Sequence, residues 1–161
     1  MKYLALSIVF FFLSTSNITE VRKLYLDASK SESAAKEFTA KMASVTEDAD
    51  KTLWAYKGAS LTLISKFSKN LPDKISNLKA GAKCIDAAVA SEPNNIEVRL
   101  IRLSVQENVP LIVNYRKNKA EDKAFISSHY KEQPAALKEY VKNFIQRSKS
   151  FSPAEKKTLK Q

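Results

Sequence analysis

Catalysis or metal chemistry in this chain would have to be built from one histidine, one cysteine and one short acidic run. His129 has Phe125, Ile126 and Tyr130 as its helical neighbours. A metal site or a catalytic triad needs a second ligand or a base beside the imidazole, and without one His129 reads as a packing or surface residue. Cys84 stands beside Ile85 and one turn after Gly81. A nucleophilic thiolate wants a histidine and an electropositive pocket, so Cys84 reads as a small buried hydrophobe. Glu47-Asp48-x-Asp50 lacks the glycine and the distal glutamate of a calcium loop, and its acidity suits the start of a helix. The only glycines are Gly58 and Gly81, which leaves no glycine-rich phosphate loop. No catalytic residue, no metal ligand and no cofactor is therefore expected.

Recognition chemistry has better candidates. Between Ile96 and Gln106 the apolar residues divide into two flanks. Ile96, Leu100 and Leu103 form one, and Val98, Ile101 and Val105 form the other. Arg99, Arg102 and Gln106 lie between them as a polar strip. A helix apolar on two flanks belongs between neighbours, in the middle of a stack. Two arginines fixed on such a helix can hold a carboxylate bidentately. That carboxylate is either a ligand's or an internal acid, such as Glu97, Glu107 or one on another helix. Trp54, Tyr56, Tyr115 and Arg116 are the aromatic and cationic residues expected to share the groove with Arg99 and Arg102, because such side chains dominate binding energy.

These residues must be positioned by helices. So few glycines argue against the tight turns of a β domain, and apolar residues recur at helical spacing throughout. The spacing predicts helices over 19–29 (Val21, Leu24, Tyr25, Ala28) and 32–45 (Ala35, Phe38, Met42, Val45). A third spans about 49–68, with Leu53, Leu61, Ile64 and Phe67 in line, although Leu61 to Ile64 alternate as a strand would. Pro72 opens a fourth, whose stripe is Ile75, Leu78, Ile85 and Val89, and Pro93 ends it. Asn94-x-x-Glu97 and Asn118-x-x-Glu121 look like capping pairs. Short helices follow over about 110–116, 119–130 and from Pro134, the last with Leu137, Tyr140, Val141, Phe144 and Ile145 in one stripe. Ser152-Pro153-Ala154-Glu155 combines a hydroxyl cap, a proline and a glutamate at favoured positions. The expectation is an all-α stack of antiparallel helical hairpins, about nine helices in one domain over 17–161.

Trp54, Gly58 and Leu61, followed by Gly81, Ile85, Ala88 and Pro93, resemble a tetratricopeptide repeat. The resemblance covers residues 54–93 and implies paired helices brought close by small residues. Trp54 to Ala59, and residues 95–110, are also similar to a group of small exported helical proteins from Bacteroidota. That resemblance implies an envelope address and carries no function with it.

Met1-Lys2, an apolar run from Tyr3 to Leu13 and then Ser14-Thr15-Ser16 match a cleavable signal peptide over 1–16, with Asn17 as the mature start. The run is shorter than the about 20 residues of a membrane span. A periplasmic or secreted address in a bacterial envelope is expected, and a lone cysteine agrees with it weakly. The formal net charge is +10, and residues 116–161 carry twelve basic groups against five acidic ones. Two functions follow. The first is a helical binding or scaffolding module for protein or peptide partners. The alternative is a basic surface for anionic polymers or lipid headgroups, with Lys138, Lys142 and Lys149 upon it. Nucleic acid is not expected as a partner.

Overall fold

The computed structural model describes residues 18–160, so the signal-peptide expectation over 1–16 lies outside the described residues. Those residues form eight α-helices and no strand: α1 (18–28), α2 (Glu32–Met42), α3 (Lys51–Phe67), α4 (Leu71–Ser91), α5 (Ile96–Asn108), α6 (Lys119–His129), α7 (Ala135–Arg147) and α8 (Pro153–Lys160). The count is one short of the nine expected. The stretch 110–116 makes only a single 3₁₀ turn, Leu111–Val113, closed by Asn114 in the left-handed region at φ 52°. None of the described helices is long and apolar enough to cross a membrane.

Helix ends follow the chemistry of orphan amides, with shifts from the expected positions. Asp50, rather than the preceding acids, caps α3 by accepting from the Thr52 and Leu53 amides at 2.9 and 3.1 Å. Asn95, not Asn94, caps α5 through the Glu97 and Val98 amides. At α8 the full capping box forms: the Ser152 amide donates to Glu155 Oε2 at 2.8 Å, and the Glu155 amide to Ser152 Oγ at 3.3 Å. At the end of α2, the Lys57 ammonium reaches the Met42 and Ala43 carbonyls at 3.0 and 2.8 Å, serving the acceptors a helix terminus leaves open.

α2, α3 and α4 pack as successive antiparallel neighbours. Thr39 Oγ1 meets the Ser60 carbonyl while Lys57 meets the end of α2. Gly58 faces Cys84 and Ile85, and Gly81 faces Thr62. The α3–α4 contact is so close that a Cβ on either glycine would stand 2.5 Å from the other's carbonyl oxygen. This closeness overturns the apolar stripe expected for α3. Leu53, Leu61, Ile64 and Phe67 are only half-buried, and apart from Tyr56 the buried residues of α3 are small or hydroxylic: Thr52, Ala55, Gly58, Ala59, Ser60, Thr62 and Ser65. Large side chains at the α4 contact would hold the helices apart, and the one large buried residue of α3, Tyr56, packs instead on Tyr25 and Phe38. The hydroxyls on that face avoid an unmet polar burial by donating to carbonyls of their own helix, Thr62 to Ala59 and Ser65 to Thr62.

Two apolar cores result, and α5 lies between them. Val98, Ile101 and Val105 join α1–α4 residues such as Val21, Phe38, Tyr56 and Ile85. Ile96, Leu100 and Leu103 join Ile126, Val141, Ile145 and Phe151 of the C-terminal part. The division of α5 matches the two flanks read from the sequence.

Candidate functional site

The polar strip of α5 is buried, and its carboxylate is internal. Arg102 grips Asp122 of α6 with two hydrogen bonds of 2.7 Å, from Nε to Oδ2 and from Nη2 to Oδ1. Arg99 Nη1 adds 2.9 Å to the same Oδ1 and 2.7 Å to Glu121 Oε1, while its Nε donates to the Pro93 carbonyl. The Arg99 guanidinium also lies over the Phe125 ring, 4.5 Å from its centroid. Asp122 is 0 % exposed, and the two arginines supply its counter-charge and its hydrogen bonds. Burial pulls the Arg102 pKa down, but the bonds and charge of Asp122 outweigh it and the net shift is upward. The Arg99 hydrogen bond, with help from Asn118, lowers the Glu121 pKa.

The other residues expected in one groove with the arginines are divided. Tyr115 does join them, because its hydroxyl donates to Asp86 at 2.8 Å and Arg102 Nη1 lies 4.0 Å from the same carboxylate oxygen. Arg116 donates to the Val109 carbonyl, covering the end of α5. Tyr56 belongs elsewhere. Its hydroxyl meets Glu97 Oε1 at 2.7 Å and the Tyr140 hydroxyl at 3.0 Å, and Arg22 closes the set on Glu97 at 2.8 and 2.6 Å. Glu97 and Arg99 project about opposite ways at helical spacing, so Tyr56 cannot floor a site at Arg99. Trp54 is half-buried against the α1–α4 core. The predicted groove is thus two buried polar networks, one on each side of α5. His129 stacks on Phe125 with centroids 4.1 Å apart, and Cys84 is buried, as their neighbours suggested. No group of three or more metal-ligating side chains occurs among the described residues.

The open concavity lies at residues the sequence did not single out. It is a groove of about 500 Å³ walled by the ends of α1, α3, α4, α5 and α7. Leu26, Leu63, Leu78, Val105 and Val109 make its apolar floor. In that floor, Tyr25 donates to Ser104 Oγ at 2.8 Å, and burial pushes the phenol up to about 12, so it stays protonated. Lys66, Lys74 and Arg147 are the charged residues of the lining, which also carries Ser29, Thr62, Ser65 and Asn108 and holds no acid. Lys66 and Arg147 are exposed and donate only to carbonyls, Ser29 at 3.4 Å and Asn143 at 3.1 Å. Lys149 sits at the rim, its ammonium 2.8 Å from Oδ1 of the groove residue Asn108. Lys149 is therefore parted from Lys138 and Lys142, which flank a shallower hollow with Lys131 and Glu139. The sequence signal for the groove was faint, since five separate elements each contribute a few residues with no spacing of their own.

The arrangement offers apolar contact and fixed positive charge and holds no acid–base pair. No protein-family model, curated protein or solved structure matches the chain.

Proposed function

We propose that this chain is an exported helical binding module of a bacterial envelope, that its ligands are segments of other proteins, and that the groove is their seat. The observation that carries this reading is the groove's lining: an apolar floor ringed by Lys66, Lys74 and Arg147, with no carboxylate among them. Sites that bind without reacting are built in this way, with apolar area for affinity and a few charges for orientation. The run of antiparallel helices from α2 to α4, tightened at Gly58 and Gly81, supports a tetratricopeptide-like scaffold. Rigid helical walls of that kind present a groove at little ordering cost. The arginines of α5 serve this function as structural ties. The Asp122 carboxylate already occupies the grip that a ligand would need.

Site-resolved photo-crosslinking in the native envelope tests the reading. A benzophenone amino acid in place of Leu111, beside the groove, should give discrete protein adducts. The same group in place of Glu132, in the short turn that precedes α7, should give none. Equal labelling from both positions, or none from either, overturns the proposal.

A further inference from the structure

Three large apolar side chains stand exposed among the described residues, and each lies within a helical turn, along the chain, of a residue that lines the groove. Leu71 is 64 % exposed, Ile75 44 % and Leu111 77 %. Leu71 and Ile75 each lie three residues before a lining residue, Lys74 and Leu78, and so extend the α4 wall as one stripe. Leu111 follows Pro110, which also lines the groove. Apolar side chains scattered singly need no explanation, but a set collected around one concavity marks an interaction surface.

Charge restricts the occupant further. Lys66, Lys74 and Arg147 form no ion pair among the described residues, although Asp and Glu pair with Lys30, Lys36, Lys41 and Lys123 elsewhere. Backbone restricts its shape. The walls are chiefly helices, whose amides and carbonyls bond internally, so an extended strand would find few main-chain partners. A polyproline segment would want an aromatic-lined trough, and only Tyr25 supplies a ring here. An amphipathic helix asks for side-chain contact alone, and the α4 stripe at positions 71, 75 and 78 has the spacing of a helix-packing seam. A flat lipid surface would leave a concavity of about 500 Å³ unfilled.

We infer that the groove receives an acidic amphipathic helix of a partner protein. Its apolar stripe lies on Leu71, Ile75, Leu78 and Leu111, and its carboxylates meet Lys66, Lys74 and Arg147. This rests on the binding-module reading and names the partner's chemistry.

Fluorescence anisotropy with labelled synthetic helices tests it. One peptide carries leucine at i, i+3, i+4 and i+7 with glutamate on the flanks, and a second carries lysine in place of glutamate. The acidic peptide should bind saturably and the basic one should not. Lys74→Glu with Arg147→Glu should weaken binding about tenfold, the sum expected of exposed charge pairs. Ile75→Ser with Leu111→Ser should weaken it at least as much, with the circular dichroism spectrum unchanged. Equal binding of both peptides overturns the inference. So does capture by phosphatidylglycerol vesicles that the charge variant abolishes while the acidic peptide stays unbound. If the acidic peptide fails but Leu111 still crosslinks protein in the envelope, the partner's chemistry is wrong and the module reading stands. Silence in both experiments removes both.

Discussion

Gly58 and Gly81 face each other so closely that each carbonyl oxygen occupies space a Cβ on the other would need, at 2.5 Å. Backbone stands on both sides of this contact, so no flexible side chain can swing away. Replacing a helical glycine by alanine would ordinarily add about 1 kcal/mol of stability. Here the steric cost, about 1–3 kcal/mol or more, exceeds that gain. Gly58→Ala and Gly81→Ala should each lower the melting temperature, and Gly81→Leu should lower it further. Circular dichroism melts measure this directly, and an unchanged or raised melting point in the alanine variants contradicts it.

Asp122 answers two arginines at once, with 0 % of its surface exposed. Asp122→Asn keeps the shape but leaves two buried cations short of a counter-charge. Breaking such a buried set from one side costs about 3–5 kcal/mol. Urea denaturation should show a loss in that range, and Arg102→Met added to Asp122→Leu should recover part of it. A loss below about 1 kcal/mol would place the cluster among exposed pairs, which are worth that little.

Acid should loosen α8 before the rest of the fold. The Lys123 ammonium, the Ser152 amide and the Ser152 hydroxyl hold Glu155 down at about 2, well under the ordinary glutamate value of about 4.3. A depressed acid contributes stability above its unfolded value and loses it as pH falls toward the folded one. Amide protection in α8, taken relative to the intrinsic exchange rate at each pH, should therefore fall between pH about 4.3 and about 2. Glu155→Gln should flatten that dependence. A fall of equal size in the variant assigns the effect to other carboxylates.

Processing of the chain tests the proposed export. Intact mass measured on protein recovered from the native envelope should begin at or within a few residues of Asn17. A mass that retains residues 1–16 in a membrane fraction would refute the signal peptide.

Much of the architecture was legible because it rests on periodicity. Two apolar flanks on one helix can be satisfied only by neighbours on both sides, and α5 has them. The helix-approach glycines were legible from their place in the tetratricopeptide-like spacing, where small residues let two helices close up. α3 was misread because its packing rewards smallness, and a search for leucine and isoleucine overlooks a face made of alanine, serine and threonine. The arginine pair was visible, but its partner was not. Glu121 resembled a capping residue, and nothing local marked Asp122 as the acid that α5 would draw inward. Tyr56 was assigned to the wrong side, because its partner Glu97 was read as a cap and is the anchor for Arg22. The groove escaped altogether, as a concavity assembled from helix ends has no period to detect.

α5 supplies a wall to both interiors, and this bears on how the molecule comes apart. A helix shared in this way links the fates of the two halves: once it detaches, neither encloses anything. The chain should therefore lack a stable fragment, and its cores should open in one concerted event with matching exchange rates on either side of the partition. The α8 terminus, tied on by its cap, the Lys123 contact and the Tyr130 bond to the Leu159 carbonyl, is the part free to fray independently.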